Sequence, residues 1–360
     1  MALTKVRLGG FEPQYVGRRN IIINGGMQVA QRGTSFSLSG TADTFITDRF
    51  LISNSDTGAW TASQSTDAPT GFSNSLKMDC TTADTSPTFL TLMTRFEGQD
   101  LQHLKKGTSS AEKTTLSFFV KSNKTGTYIA ELRDIDNNRT IGKAYTISSA
   151  DTWEQKIITF DGDTTGAFGN DNGNSLTVQF YLAVGSVYNS GTLATSWGSR
   201  VNANTAVGQV NLADSTDNEW YITGVQLEVG SAATPFEHRS FGEELALCQR
   251  YYHILKRGVS DSSTPIMSGL DVGSQARGIC PFPVSMRVNP SVGYSALSHL
   301  AVYSSGGSQA PSAISNAGTN ETRTMMRLTA DFTSGTTGDG ILMQINGTAG
   351  SAYIDFDAEL

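Results

Sequence analysis

The sequence is poor in charged residues, and the charge that it has is not concentrated anywhere. Charged residues make up 16% of the 360 residues, against about 25% in average soluble domains. The net charge is −7, and no run of lysine or arginine stands out. Nucleic-acid binding relies on a basic cluster that neutralises phosphates, so nucleic acid is not expected as a partner.

Cysteine and long apolar segments are scarce as well. The three cysteines, Cys80, Cys248 and Cys280, are odd in number and widely spaced, which disfavours a disulfide framework and a zinc site. No apolar run approaches the roughly 18 residues of a membrane-spanning helix. The first residues also lack the apolar stretch of a cleavable signal peptide. We therefore expect synthesis in a reducing cytoplasm and no membrane insertion.

Catalytic motifs are missing from the sequence. The four histidines are scattered, and there is no Gly-x-Ser-x-Gly, His-Glu-x-x-His or P-loop motif. Glu154 and Asp161 are two acidic residues in one segment, but carboxylates at such a separation are common on β surfaces. We expect no catalytic residue, no enzymatic activity and no cofactor.

The sequence does contain many short alternating segments separated by Gly, Ser, Thr and Asn. The clearest is residues 175–184, in which Leu176, Val178 and Phe180 alternate with polar residues, as in a strand with one buried face. Residues 115–122 and 127–134 show the same pattern on either side of a short turn, and we expect them to form a hairpin. About a dozen such strands with almost no helix predict an all-β fold built on an antiparallel sandwich.

One segment breaks the β pattern, the stretch ATPFEHRSFGEELALCQRYY at residues 233–252. Ser240 is suited to cap a helix, and Glu243 occupies the capping-box position three residues later. We expect a helix over 240–252 that joins two β domains. Before the helix, His238 or Arg239 should pair with nearby glutamates.

These patterns divide the chain into four parts. We predict an N-terminal arm at residues 1–20, a β-sandwich at 21–239, the linking helix at 240–252 and a second, smaller C-terminal β-sandwich at 253–360.

Several segments together resemble virion fibre proteins of tailed bacteriophages, especially those of marine and cyanobacterial hosts. The segments are RRNIIINGGMQVAQRGTSF (18–36), DRF (48–50), YITGVQLEVGSAATPFEHRSFGEELALCQRYY (221–252), FPVSMRVNPSV (282–292) and AYIDFDAEL (352–360). The resemblance implies a jelly-roll sandwich similar to carbohydrate-binding domains in the first β part. It also implies a non-enzymatic structural protein of the virion, usually a homotrimer, that adheres to the host surface.

The resemblance leaves the position in the virion open. A tail fibre or receptor-binding subunit is one reading, and a capsid fibre or decoration protein is another, because a long N-terminal shaft is missing. A glycan-degrading enzyme of the virion is a third alternative from a different class. The arm is expected to bind other virion proteins, with Gly17, Arg18 and Arg19 as its basic end.

The helix is the expected site of trimer contacts. Apolar residues occupy two of its faces, which suggests burial on both sides, around a threefold axis or between the two domains of one chain. The candidates are Phe241, Leu245, Cys248, Tyr251 and Tyr252.

A glycan would stack on exposed aromatic rings with polar groups beside them. Tyr188, Trp197 and Arg200 share one polar loop and are the candidates. The alternatives for this loop are anchoring by its own aromatics or a subunit contact. Three other tryptophans, Trp60, Trp153 and Trp220, lie in strand-like segments. We expect them in the core and not at the glycan site.

Calcium remains an alternative to ordinary turns in one acidic region. Asp161, Asp163 and Asp171 supply hard oxygen ligands there. Residues 134–138 begin like a calcium-binding loop but lack its later Gly and Glu.

Overall fold

A computed structural model describes residues 18–316, 323–333 and 335–360, and its elements are mostly strands. The first eleven strands are β1 (Ser35–Phe45), β2 (Leu51–Ser65), β3 (Ser75–Thr82), β4 (Phe89–Glu97), β5 (Thr114–Ser122), β6 (Gly126–Asp134), β7 (Arg139–Ile147), β8 (Glu154–Phe160), β9 (Asn174–Val184), β10 (Gly198–Ser199) and β11 (Glu219–Val229). The later strands are β12 (Tyr252–Lys256), β13 (Thr264–Asp271), β14 (Gln275–Pro281), β15 (Ser291–Tyr294), β16 (Leu300–Ser304), β17 (Gly307–Gln309), β18 (Ala313–Asn316), β19 (Met325–Asp331), β20 (Gly340–Ile345) and β21 (Tyr353–Asp357). The α-helices are α1 (Ser186–Asn189) and α2 (Phe241–Gln249).

The first eleven strands form a sandwich whose two layers share the long strand β2. Residues 51–55 of β2 pair with β4, and residues 59–65 pair with β3. Layer A therefore has the order β10-β7-β6-β9-β4-β2, and layer B has the order β2-β3-β11-β5-β8. Phe118 of layer B meets Phe180 of layer A edge to face, with ring centroids 5.0 Å apart. The predicted all-β sandwich is confirmed.

The predicted hairpin between residues 115–122 and 127–134 is wrong. Strand β5 pairs with β8 and β11 in layer B, whereas β6 pairs with β7 and β9 in layer A. The intervening turn thus crosses from one layer to the other. Two strands that face each other across a core bury the same alternating positions as two strands that pair side by side, so the pattern could not separate the two arrangements.

The prediction that β9 has only one buried face is also wrong. Leu176, Val178 and Phe180 point into the sandwich core as expected. On the opposite face, however, Thr177 and Tyr181 are each 2% exposed. Polar neighbours on adjacent strands and the segment after β9 cover this second face, which the candidate site below uses.

The later strands build a second hydrophobic core. A seven-stranded sheet of order β17-β16-β20-β13-β14-β19-β18 and a three-stranded sheet of order β12-β21-β15 contribute to it. Phe282 and Phe356 meet there with ring centroids 5.0 Å apart.

Helix α2 begins as predicted and ends earlier than predicted. The Ser240 hydroxyl accepts a hydrogen bond from the Glu243 backbone, and the Glu243 carboxylate accepts one from the Ser240 backbone, so the capping box is present. The helix ends at Gln249, and Tyr252 already belongs to β12. Tyr252 leaves the helix because it pairs with Asp357 in the antiparallel ladder of β12 with β21.

The chain before β1 runs along β11 and the segment that precedes α2. The Asn20 side chain accepts a hydrogen bond from the Leu227 backbone, and the Glu237 carboxylate accepts one from the Asn20 backbone at 2.9 Å. Arg239 forms ion pairs with Glu237 at 3.1 Å and Glu244 at 3.3 Å, which confirms the expected pairing of Arg239. Across residues 18–316, 323–333 and 335–360, no helix has the length and apolar character needed to cross a membrane.

Candidate functional site

The outer face of layer A is built from polar residues in register. Strands β4, β6 and β9 lie side by side, and alternate residues point away from the core. Thr177 of β9 lies opposite Arg95 of β4 and Arg133 of β6. In the next row, Gln179 lies opposite Met93 and Glu131.

These rows form the floor of a groove with a volume of about 240 Å³. Tyr188, from the segment between β9 and β10, and Arg200, directly after β10, add to its lining. Phe89 of β4 packs edge to face on Tyr188 with ring centroids 5.3 Å apart. Enclosed small-molecule pockets are typically about 300–1,000 Å³. The groove is therefore suited to a short part of an extended ligand.

A buried carboxylate holds the floor of the groove in place. Glu131 is 0% exposed, and it accepts hydrogen bonds from the Tyr181 hydroxyl at 2.6 Å and from the Thr140 hydroxyl. Arg200 Nε lies 3.8 Å from the Glu131 carboxylate, close enough for an ion pair but too far for a hydrogen bond. Burial raises the pKa of Glu131, and the positive charge of Arg200 acts against that rise. These contacts fix the side chains of Tyr181 and Arg200 before any ligand arrives.

Some polar groups in the groove lining have no hydrogen-bond partner among the residues that the structure describes. The Thr91 hydroxyl is buried and makes no hydrogen bond, and Arg133 Nε makes none either. Buried polar groups are normally hydrogen-bonded to protein or water. Both atoms are themselves buried, so the hydrogen-bonding capacity that the groove surface offers to a ligand comes from the other nitrogens of Arg133.

The structure separates the three residues predicted to bind a glycan. Tyr188 and Arg200 both line the groove. Trp197 lies elsewhere: its indole nitrogen donates to the Asp161 carbonyl oxygen at 2.7 Å, and its ring packs against the sandwich core. Trp197 thus matches the alternative of a loop anchored by its own aromatic residue.

The core assignment of the other tryptophans is confirmed for two of them. Trp60 and Trp220 are almost completely buried in the sandwich core. Trp153 is only partly buried, so the prediction that it lies in the core is wrong. Its indole nitrogen donates a hydrogen bond to the Asp67 carboxylate at 3.0 Å, and its ring lies edge-on to Tyr221. Strand β8 is at the edge of layer B, and this position leaves Trp153 near the surface.

The structure does not bring the three predicted calcium ligands together. Asp161 pairs with Lys113, whereas Asp171 accepts a hydrogen bond from the Gly173 backbone. Asp163 lies on the other side of this region, where Arg139 binds its carboxylate with two hydrogen bonds. Within the described ranges, no group of three or more His, Cys, Asp or Glu side chains could hold a metal ion.

A lysine ammonium occupies the centre of the oxygen-rich site beside Asp163. Lys106 Nζ lies 2.5 Å from Asp134 and 3.1 Å from Asp163. It also donates to the carbonyl oxygens of Thr165 at 2.9 Å and Gly166 at 2.6 Å. The side chain of Lys106 is 4% exposed and that of Asp134 is 0% exposed. The Lys106 ammonium therefore neutralises Asp134 and Asp163, and Asp163 is one of the predicted calcium ligands. We call Lys106 with its four oxygen partners the ammonium cage.

Three of the five helix candidates make contacts within their own chain. Cys248 and Tyr251 are buried, and the Arg49 guanidinium lies 3.4 Å from the centre of the Tyr251 ring. Tyr252 is buried too, with the Arg32 guanidinium 3.5 Å from its ring centre. These three side chains join the parts of one chain and are not free to form a threefold axis. Phe241, at 57% exposed, and the half-buried Leu245 remain available for contact with another subunit.

The residues predicted for virion attachment have different environments. Gly17 lies outside the described residues. Arg18 is exposed, whereas the Arg19 guanidinium donates to the Thr234 hydroxyl at 3.0 Å and its backbone donates to Glu237. Arg19 is therefore engaged by its own chain.

Sequence reasoning missed most of the groove. The alternation in β9 predicts that Thr177 and Gln179 are exposed. Nothing in the sequence pattern marks Arg95 or Arg133 as site residues. One signal was present, because β4, β6 and β9 all carry polar residues at alternate positions. Their convergence depends on the strand order, which the sequence pattern does not contain.

No family model matches the chain, and no curated protein matches it either. Among solved structures, the enzymatically active domain of tailspike protein 4 of bacteriophage CBA120 is similar at 15% identity, with a TM-score of 0.32. The similarity covers 59% of this chain and 21% of that one. A family 11 carbohydrate-binding module of a Clostridium thermocellum cellulosomal cellulase is similar at 12% identity over 62% of this chain and 100% of that one, with a TM-score of 0.28.

The xylan-binding domain CBM22-1 of Paenibacillus barcinonensis Xyn10C is similar at 9% identity over 60% of this chain and 100% of that one. Its TM-score is 0.28. Similarity at this level does not extend a function to the chain, so the proposal below depends on the groove itself.

Proposed function

We propose that this protein is a non-enzymatic saccharide-binding adhesin and that the groove on layer A holds the saccharide. The observation that carries the proposal is a preorganised polar floor that still has unpartnered donors. The Arg133 guanidinium lines the groove and makes no hydrogen bond to a described protein group. Saccharides present several hydroxyl groups along an extended chain, and such a ligand suits an open groove better than an enclosed pocket.

The lining of the groove also suits the less polar faces of sugar rings. Tyr188, Phe89 and Met93 lie beside the polar floor. Aromatic rings pack against the C–H groups of a pyranose while neighbouring polar groups fix its orientation. Glu131, the carboxylate beneath the floor, is buried and engaged by two hydroxyls, so its role in this proposal is to hold the floor.

The virion role is part of the proposal and depends on the resemblance of residues 18–36 and 221–252 to phage fibre proteins. In this proposal, the chain is a homotrimeric tail fibre or receptor-binding subunit that grips the host surface. Three copies of one weak groove would increase avidity through effective concentration without a stronger single site. Particle images and the copy number per virion would distinguish this position from that of a capsid fibre.

Binding to a saccharide array tests the groove. Replacing Tyr188 by Ala removes a groove wall, and we expect saccharide binding to fall about 10-fold, as for loss of one aromatic contact of about 1.4 kcal/mol. The measurement is the affinity for the best array ligand. Tyr303→Ala is the matched control, because Tyr303 is a partly exposed tyrosine in the second part of the chain.

Equal losses in the two tyrosine variants would place the binding site outside the groove. Shortening of a bound oligosaccharide during incubation with the wild-type protein would instead favour the enzyme alternative.

A further inference from the structure

The charge of the groove is opposite to that of the whole chain. The chain carries a net charge of −7. Among the described residues that line the groove, three are arginines, Arg95, Arg133 and Arg200, and none is Asp or Glu. A positive groove on an acidic protein is a specific local arrangement and not a consequence of composition.

Two of the three arginines lie within 4 Å of a carboxylate, and the third forms no such ion pair among the described residues. Arg95 lies 3.6 Å from Asp43 and also donates to the Leu360 carbonyl oxygen. Arg200 lies 3.8 Å from Glu131. The Arg133 side chain has no hydrogen bond and no ion pair with any residue in ranges 18–316, 323–333 and 335–360. The Arg133 guanidinium thus keeps its hydrogen-bonding capacity for a ligand, although the Glu131 carboxylate two residues earlier on β6 attracts it electrostatically.

The surroundings make this free cation unfavourable in the absence of a ligand. Burial lowers the pKa of Arg133 most, and the neighbouring charge of Arg200 lowers it further, while the Glu131 carboxylate acts in the opposite direction. The strand register places Arg133 in one row with Thr177 and Arg95, two strand spacings or about 10 Å across the groove. A protein gains no stability from holding an unpaired guanidinium beside another one, so a ligand that supplies negative charge is the natural partner.

We propose that the groove selects saccharides that carry an anionic substituent, either a carboxylate or a sulfate ester, and that Arg133 binds this substituent. The inference rests on the proposed function, because it specifies the ligand of the same groove. A guanidinium presents planar paired donors that match carboxylate and sulfate oxygens, and such charge-assisted bonds are among the strongest in proteins. Gln179 would then bind a hydroxyl group of the same sugar chain.

Matched pairs of saccharides test the charge requirement directly. The probes are oligogalacturonate with its fully methyl-esterified form, and dextran sulfate with unmodified dextran, measured by calorimetry or surface binding. We expect the charged member of at least one pair to bind at least 10-fold more tightly than the neutral member, with affinity that falls as salt rises. The pair that shows the difference identifies carboxylate or sulfate as the substituent.

The variant Arg133→Gln assigns the effect to one residue. We expect affinity for the charged probe to fall about 10-fold to 100-fold, as for loss of a charged hydrogen bond, while affinity for its neutral counterpart stays unchanged. Arg277→Gln is the matched control, since Arg277 is an exposed arginine on β14. We also expect the melting temperature of Arg133→Gln to be equal to or above that of the wild type, because burial and the neighbouring Arg200 charge together outweigh the attraction of Glu131 for the Arg133 cation. A structural role for Arg133 would lower it.

Equal affinity for charged and neutral probes, or unchanged affinity in Arg133→Gln, would overturn this inference while leaving saccharide binding in the groove intact. Absence of binding to every saccharide, neutral and charged, would overturn the proposed function together with it.

Discussion

Replacing Lys106 by Ala is expected to destabilise the protein by about 3–5 kcal/mol, the usual loss when one member of a buried ion pair is removed. Lys106 is the centre of the ammonium cage, with Asp134 at 2.5 Å and Asp163 at 3.1 Å. Arg139 would still pair with Asp163 in the variant, but Asp134 would keep a buried charge without its cation. Chemical unfolding at neutral pH, followed by tryptophan fluorescence, measures the loss.

Lys113→Ala is the control for this prediction. Lys113 also pairs with an aspartate, Asp161, but both side chains are more than half exposed, and exposed pairs contribute only about 0–1 kcal/mol. An unfolding midpoint of Lys106→Ala equal to that of Lys113→Ala would show that the ammonium cage does not stabilise the fold.

Calcium offers a second measurement on the same variant. Without the ammonium, the two carboxylates and the carbonyl oxygens of Thr165 and Gly166 remain as hard oxygen ligands. We expect added Ca²⁺ to raise the melting temperature of Lys106→Ala and not that of the wild type. A variant that stays insensitive to Ca²⁺ would show that the ammonium cage is too small or too incomplete for the ion.

Replacing Arg250 by Ala should have an effect of similar size, about 3 kcal/mol, because it breaks the link between the end of α2 and the end of β4. Arg250 binds the Glu97 carboxylate through two nitrogens, at 2.7 Å and 2.6 Å. The Glu97 side chain is 0% exposed, so loss of the guanidinium leaves a buried carboxylate without its main partner. Urea unfolding at pH 7 provides the free energy of unfolding.

Further variants of Arg250 and Glu97 distinguish two effects: loss of the hydrogen bonds from Arg250, and burial of the Glu97 carboxylate without a cation. Arg250→Lys keeps the charge but cannot make the two-nitrogen contact, and we expect an intermediate loss. The double variant Arg250→Ala with Glu97→Gln removes the stranded charge and should be more stable than Arg250→Ala alone. If the double variant were the sum of two independent losses, Arg250 and Glu97 would not be coupled.

The pH dependence of this pair follows from the pKa of Glu97. Burial raises that pKa, but hydrogen bonds from Arg250, Tyr251 and Gln99 lower it, and the net pKa lies below its ordinary value. A carboxyl group with a depressed pKa adds stability above its unfolded-state pKa of about 4.3 and loses it as the pH falls through the folded-state pKa. The stability gap between wild type and Arg250→Ala should therefore be largest near neutral pH and narrow below about pH 4. A gap that stays constant down to pH 2 would contradict this account.

The sequence predicted the local features of this protein well. The alternation in residues 175–184 located β9, and the Ser240 and Glu243 pair located the start of α2. The pairing of Arg239 with neighbouring glutamates was also predictable. Each of these features involves residues close together in the chain, so short-range geometry and hydrogen bonding are sufficient to specify them.

Residues only a few positions apart could still be assigned to the wrong site. Tyr188 and Trp197 share one loop, yet Tyr188 lines the groove and Trp197 packs on the sandwich core. Asp161 and Asp163 are two residues apart, but one faces Lys113 near the surface and the other faces Arg139 and Lys106. The neighbours of each side chain come from distant strands, and sequence proximity does not report them.

By itself, the sequence determined an all-β sandwich, the capped start of one helix and the positions of most strands, because alternation and capping act over a few residues. Only the tertiary structure decided that β5 and β6 belong to different layers, that Lys106 fills an oxygen-rich site, and that Arg133 lines a groove without an ion-pair partner within 4 Å among the described residues. These outcomes depend on which strands become neighbours. Strand order is set by the burial of the whole core at once, and that is a property of the folded chain rather than of any segment.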